Sequence, residues 1–283
     1  MSWSVLAEFD YPISALFLSD REVILAFGNG DVFLADWDKI ITTDPSKARE
    51  ILTLAGSFPG VHIRSIVSDA SGFRIVVDDN RRALLKLSGD NIHAVYIEHF
   101  ETHPLMGPHS VCLARESKKI FFTDSGPRGE SGLHRAIGSL FMVNNQGLLI
   151  GLCHRTLAYP TSICLSSDES ELFVLEKGLN RVLRFYFDKT TNQWEGTLFL
   201  QLSGAREPTV IVYHRGNLYI SRTGFKENYL SRIEVYDSDG LLRSVIPNLP
   251  LHSVSGLLVS SDQTCLIVFG ETSNQVWTYP LIS

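Results

Sequence analysis

The chain has 283 residues, 44% of them hydrophobic and 20% charged, with a formal net charge of −6 at pH 7. That length is ordinary for a single all-β domain and the apolar fraction can fill a sizeable core, while basic residues scattered singly offer no electrostatic footprint for a polyphosphate backbone. The opening MSWSVLAEFDYP has no basic stretch and carries Glu8 and Asp10 too early for a secretory signal, no Asn-x-Ser/Thr occurs, and no apolar run reaches the roughly 18 residues that span a bilayer. An intracellular, cytoplasmic protein is expected, binding neither nucleic acid nor membrane.

In chain order, residues 1–9 contain an isolated apolar strand, WSVLAEF. Repeated units then begin near Ile13 (ISALFLSDREVILAF) and Ile63 (IRSIVSDASGFRIVV), with turn residues at Gly28-Asn29-Gly30 and Ser88-Gly89-Asp90. The third unit begins near His109, and its PHSVCLARESKKIFFTD reappears as PTSICLSSDESELFVLE in the fourth, near Thr161. Both read Pro, any residue, Ser, a β-branched residue, Cys and Leu, then a polar turn and an apolar run ending in a carboxylate. Fainter copies begin near Thr209 and Ser255, with further turn residues at Gly147 and Asp237-Ser238-Asp239-Gly240. Gly and Asx residues supply positive φ or side-chain-to-backbone bonds at hairpin bends.

Six copies spaced 46 to 52 residues apart match the period of roughly 40 to 50 residues of propeller blades. Each copy reads as four short strands, because apolar and β-branched runs are broken by turns and show no sustained helical spacing. In the fourth these are SICLSS, ELFVLE, RVLRFYFD and GTLFLQL. The apolar first strands are expected to be covered on both faces, at the centre of a radial sheet. The sixth copy has only three strands, GLLVS, CLIVFGE and QVWTYPLI. Pairing the isolated N-terminal strand with it would complete the blade and cover an aggregation-prone edge. The fold class expected is therefore all-β, one six-bladed β-propeller domain over 1–283 closed by its N-terminal strand.

Cys112 and Cys164 occupy matching places in neighbouring first strands, Cys265 falls in a second strand and Cys153 in a fourth, with no Cys-x-x-Cys pair. They are expected to be reduced, buried small hydrophobes.

Asn180-Arg181-Val182-Leu183-Arg184-Phe185, directly after the fourth copy's strand pair, resembles the Asn-Arg-apolar-x-Arg-Phe signature of the senescence marker protein (regucalcin)/gluconolactonase family and its strictosidine-synthase-like relatives. IFFTDSGPRGESGLHRAIGSLFMV resembles that family's Tyr-Phe-Thr-Asp segment, long loop and following strand. The likeness is clear over 107–190 and elsewhere rests on repeat spacing. It implies a six-bladed propeller. The family's lactonases hold a divalent cation with a Glu from blade one, two Asn at the starts of first strands and an Asp that is also the proposed general base. The matching positions here carry Pro12 or Ile13, His109 followed by Ser110, Thr161, and Pro208 or Thr209, and Ser253 and Ser255 stand where the strictosidine synthases have their catalytic Glu. A hard cation requires charged oxygens, so no metal and no cofactor is expected.

The second strands of blades three, four and five end in Asp124, Glu176 and Arg222. With His109, Thr161 and Ser255 these are candidates at a channel mouth, to bind a small polar ligand or perform acid–base work. The competing reading makes them inter-blade ion pairs. Loops 125–137 and 223–230 would open on the same face, offering Arg128, His134 and Arg135 from one and Phe225, Lys226 and Tyr229 from the other, types common in binding hot spots. His252, and His99 with His103 four residues on, are weaker candidates. The function expected is a non-catalytic scaffold that binds other proteins within a larger assembly. The alternative is a lactone or ester hydrolase with an atypical site, and only that alternative would involve a divalent cation.

Overall fold

The computed structural model describes all residues except 11, 12, 19, 20, 69–72, 89, 90, 128, 133, 225–229, 261, 271, 282 and 283. The chain forms two compact units, Met1–Tyr96 with Leu249–Ser283, and Ile97–Asn248. Among the described residues there are six four-stranded sheets. Five take their strands in sequence order, with the first strand at one edge.

The first unit holds blades one, two and six. Blade one comprises Ile13–Leu18, Glu22–Phe27, Asp31–Asp36 and Thr53–Ser57, and blade two Ile63–Ser68, Arg74–Asp78, Ala83–Ser88 and Asn91–Ile97. Blade six has Gly256–Val259, Cys265–Phe269 and Gln275–Pro280, and Ser4–Glu8 adds its fourth strand antiparallel to the last of these, Ser4 opposite Thr278 and Glu8 opposite Gln275. The N-terminal strand thus completes the last blade.

Alternation along a second strand explains why it must be apolar throughout. Val23, Leu25 and Phe27 face a core shared with Ile267, Phe269 and Val276 of blade six, whereas Ile24 and Ala26 face one shared with Ile63, Ile66 and Val76 of blade two. With a side-chain period of two, each second strand serves two inter-blade cores. The second unit repeats this: Leu172 and Val174 pack with Phe121 and Leu140 of blade three, while Phe173 and Leu175 pack with Ile211 and Ile220 of blade five. Fully burying one such side chain stabilises by about 1.5–3 kcal/mol.

In blade four the first strand Pro160–Leu165 is buried at every position but one, as expected, but in blade three burial is deepest one strand further out. The second strand Lys119–Asp124 is buried at every position but one, whereas the first strand Pro108–Ala114 is buried only at Pro108, Val111 and Ala114 and half-buried between them. A first strand has a hydrogen-bonded neighbour on one side only.

The predicted turns are found at Gly30, Gly147 and Gly240, with φ of 89°, 81° and 78°. A Cβ at Gly30 would lie 2.2 Å from the Phe58 carbonyl oxygen, so the position admits no side chain. The turn expected at Ser88-Gly89-Asp90 lies partly outside the described residues.

One excursion departs from the all-strand reading. Between the third and fourth strands of blade one, Trp37–Thr42 is an α-helix and Pro45–Ile51 a 3₁₀ helix. Asp36 caps the first, accepting from the N–H groups of Asp38 (2.9 Å) and Lys39 (3.3 Å), and Asp44 with Pro45 starts the second. Trp37, Ile40 and Ala48 join the core that holds Ala7 and Phe9 of the N-terminal segment. Among the described residues no helix is long and apolar enough to cross a membrane.

The second unit holds blades three (Pro108–Ala114, Lys119–Asp124, Gly138–Val143, Leu149–Leu157), four (Pro160–Leu165, Glu171–Glu176, Arg181–Asp188, Gln193–Gln201) and five (Glu207–His214, Asn217–Thr223, Ser231–Asp237, Leu242–Leu249), preceded by a small hairpin of His99–Phe100 and His103–Pro104.

Candidate functional site

The second strands of blades two to five end on, or one residue beyond, charged side chains that are almost fully buried: Asp78, Asp124, Glu176 and Arg222. Register makes the four equivalent, because they face Ile63, Pro108, Pro160 and Pro208, each followed by a shift in the ladder. Each side chain holds the backbone that leads into its blade. Asp78 Oδ1 accepts from the N–H groups of His62 and Asn80, both at 3.1 Å. Asp124 accepts from Met106 at 2.8 Å, Gly107 at 2.7 Å and Gly126 at 3.0 Å. Glu176 Oε1 accepts from Ala158 N–H at 2.5 Å, and its Oε2 meets Arg181 Nε at 2.5 Å. Hydrogen bonds of this charge-assisted kind contribute about 1.5–3 kcal/mol each.

Blade five inverts the polarity. Arg222 donates from Nε and Nη2 to the Arg206 carbonyl at 3.0 and 2.6 Å, from Nη2 to the Ser203 carbonyl at 2.9 Å, and from Nη1 to Glu234 at 2.9 Å. Glu234, itself buried, also accepts from Tyr236 Oη at 2.8 Å and from Arg232. Burial pushes the Arg222 guanidinium below its ordinary value, opposed by Glu234. Burial and then the bond to Glu234 push the Tyr236 phenol up.

Beside these strand ends the second unit opens a cleft of about 530 Å³. Gly129 and Ser131 of the blade-three loop line one side, Tyr159, Lys177, Gly178 and Asn180 the middle, and residues 204–208 the other side. Its walls are tied by backbone bonds. Tyr159 N–H donates to Ser131 Oγ at 3.1 Å, and Lys177 N–H donates to the Tyr159 carbonyl at 3.1 Å. Asn180 takes the left-handed conformation at φ 54° and donates from Nδ2 to the carbonyls of Leu202 (2.9 Å) and Gly204 (3.3 Å). In the Asn180-Arg181 motif, then, the Asn fastens the cleft wall and the Arg pairs with Glu176. Lys177 Nζ lies 2.6 Å from Glu207, and Arg206 Nη1 donates to the Leu230 carbonyl at 2.6 Å.

The sequence-predicted residues fall as follows. Asp124, Glu176 and Arg222 share one register position, and their charged groups face backbone. His109 stacks edge-on against Tyr159 at 6.3 Å between ring centroids. Thr161 is buried and donates to the Thr209 carbonyl at 3.2 Å, linking two first strands. Ser255, in the first unit, donates its N–H to the Phe269 carbonyl at 3.1 Å. His134 and Arg135 are exposed, with Arg135 3.9 Å from Glu130. Arg128, Phe225, Lys226 and Tyr229 lie outside the described residues. His99 and His103 sit on opposite strands of the small hairpin, and His103 approaches His154 at 6.0 Å. The four cysteines are free thiols as expected, but only Cys164 is buried, Cys112, Cys153 and Cys265 being half-buried. Burial raises each of their pKa values, which leaves little thiolate.

The residues at the family's cation-ligand positions do not fit a hard divalent ion. Ile13 is apolar, the Thr161 hydroxyl is given to a carbonyl, and the Thr209 hydroxyl is shared with Ser221 at 2.7 Å. Among the described residues no three His, Cys, Asp or Glu side chains are grouped to hold one ion. Sequence reasoning missed Asp78, Tyr159, Lys177 and Glu207. Asp78 was findable, since FRIVVD aligns with KIFFTD in the repeat. Tyr159 and Lys177 belong to connections, where no period marks them, and Glu207 opens the first strand of blade five just before the segment the repeat picks out.

No protein-family model and no curated protein matches the chain. Solved structures do. A gluconolactonase from Xanthomonas campestris superposes with a TM-score of 0.71 at 19% identity, covering 99% of this chain and 89% of that one. A calcium-binding protein, regucalcin, from Agrobacterium tumefaciens gives 0.74 at 14% identity over 98% and 92%, and a luciferin-regenerating enzyme 0.74 at 11% over 100% and 96%. The fold is that of a six-bladed β-propeller. That six-bladed architecture is shared with the gluconolactonase and regucalcin structures.

Proposed function

We propose that this chain is a non-catalytic propeller that binds other proteins as part of a larger assembly. One observation carries the reading: the charged side chains at the ends of the second strands, the candidates for chemistry at a channel mouth, hold the chain's own backbone in place. Asp124 alone accepts three N–H groups. The absence of fitting oxygen ligands at positions 13, 161 and 209 supports the same conclusion. Recognition is assigned to the face of the 125–137 loop, where Gly132 and Arg135 exchange backbone bonds of 3.0 and 3.1 Å and present His134 and Arg135 to solvent. Replacing Arg128, Arg135, Lys226 and Tyr229 together by Ala should leave the melting temperature unchanged and abolish co-purification of the main partner. Retained partner with a normal melt would move the interface to another face.

The likeness to a gluconolactonase supports a second reading, hydrolysis of a lactone or ester on the same face, with His109 as the titratable group beside Tyr159. Turnover of gluconolactone by the purified chain, lost in His109→Ala and kept in His134→Ala, would establish it. No turnover by the unaltered chain leaves the binding role.

A further inference from the structure

We infer that the cleft of the second unit is a binding site for a small organic acid, whose carboxylate is held by Lys177 and Arg206 and whose apolar part lies against Tyr159 and Pro208. This goes beyond the protein-binding reading, which concerns the solvent-facing His134 and Arg135 of the 125–137 loop, whereas Gly129 and Ser131 of that loop line the cleft.

Size comes first. About 530 Å³ falls within the roughly 300–1,000 Å³ of small-molecule clefts. Charge comes next: the described lining residues carry two cations, Lys177 and Arg206, against one carboxylate, Glu207, on a chain whose net charge is −6. Arg206 gives Nη1 to the Leu230 carbonyl at 2.6 Å, a neutral acceptor that leaves its charge in place, so among these residues the balance is positive. Lys177 and Glu207 are 2.6 Å apart, and their side chains are 29% and 33% exposed. Ion pairs this open to water are weakly coupled, so an incoming carboxylate can share Lys177 at small cost. Glu207 is then the group that competes with the ligand.

The walls are also set in advance. The Arg206 and Ser203 carbonyls are gripped by the buried Arg222, and the Leu202 and Gly204 carbonyls by Asn180. A Cβ at Gly178 would meet the Ala158 oxygen at 2.7 Å, so the floor is backbone packed on backbone. A site whose frame is already ordered loses less freedom on binding. Tyr159 and Pro208 supply carbon surface, which sets an apolar body rather than a second charge opposite the cations.

The test is calorimetric titration of the full chain at low salt with sodium benzoate, and with benzamide as its uncharged counterpart. Benzoate should bind and benzamide should not. Lys177→Met should weaken benzoate about tenfold, the scale of one hydrogen bond to a charged group. Glu207→Gln should tighten it several-fold, because the competitor for Lys177 is gone, and this variant removes no buried group. Equal binding of benzoate and benzamide, no benzoate binding up to 10 mM (about the weakest affinity such a site would have), or weaker binding in Glu207→Gln would each overturn the inference.

Discussion

Arg222 does with a cation what Asp78, Asp124 and Glu176 do with anions. The carboxylates take N–H groups of the segment entering their blade, and Arg222 takes its carbonyls. Such a group is costly to remove, since a buried partner is left behind. Arg222→Met strands Glu234 with Arg232 and Tyr236 and orphans two carbonyls, so about 3–5 kcal/mol should be lost, read from urea unfolding. A loss near zero would mean that the segment is held by other contacts. His214 offers a second check. Burial lowers its pKa, with Arg215 contributing. A base whose folded pKa lies below its unfolded value stabilises the fold above the unfolded pKa of about 6.5, and this is lost as pH falls through the folded pKa. Stability should therefore fall between neutrality and mild acid, and His214→Gln should flatten that part of the profile measured by thermal melts.

At the scale of elements, the N-terminal strand matters most. Phe9 is buried 5.5 Å from Phe27, its N–H donates to the Asn274 carbonyl at 2.9 Å, and Ala7 lies in the same core. Deleting 1–9 would uncover the edge of Gln275–Pro280 and the faces of Trp37 and Ile40. The truncated chain should melt well below the full one and aggregate on heating. An unchanged melting temperature would show that the strand is dispensable. The helical excursion is a smaller matter of the same kind: Asp36→Ala removes the cap at two N–H groups and should cost about 1 kcal/mol.

At the scale of the molecule, reading the chain as one domain over 1–283 predicts a single cooperative thermal transition, with calorimetric and van't Hoff enthalpies equal. Two resolved transitions would assign the two compact units as separate domains. Millimolar calcium should barely move the midpoint, because a ligand stabilises only as far as its concentration exceeds its dissociation constant. A shift of several degrees would point to a cation site built from ligands other than those of the family pattern.

Much of this architecture was readable in the order of residues, because a strand's period of two and a turn's need for Gly or Asx are local properties. Ile13 and Ile63 open the first strands of their blades as expected, and the unfinished last repeat called for the strand at 1–9. The equivalence of Asp124, Glu176 and Arg222 was readable too, since it follows from repeat alignment. Which way those side chains turn was not. A carboxylate at a strand end can face solvent or backbone, and only the packing of the preceding connection decides it, such as that of Gly107, where a Cβ would lie 2.4 Å from the Gly126 oxygen. The helices at Trp37 and Pro45 are too short to show a helical period and persist because their apolar faces find Ala7 and Phe9. The cleft joins Ser131, Tyr159, Lys177 and Glu207 from four separate segments. Each is unremarkable alone in the sequence, and long-range chain packing alone makes them neighbours.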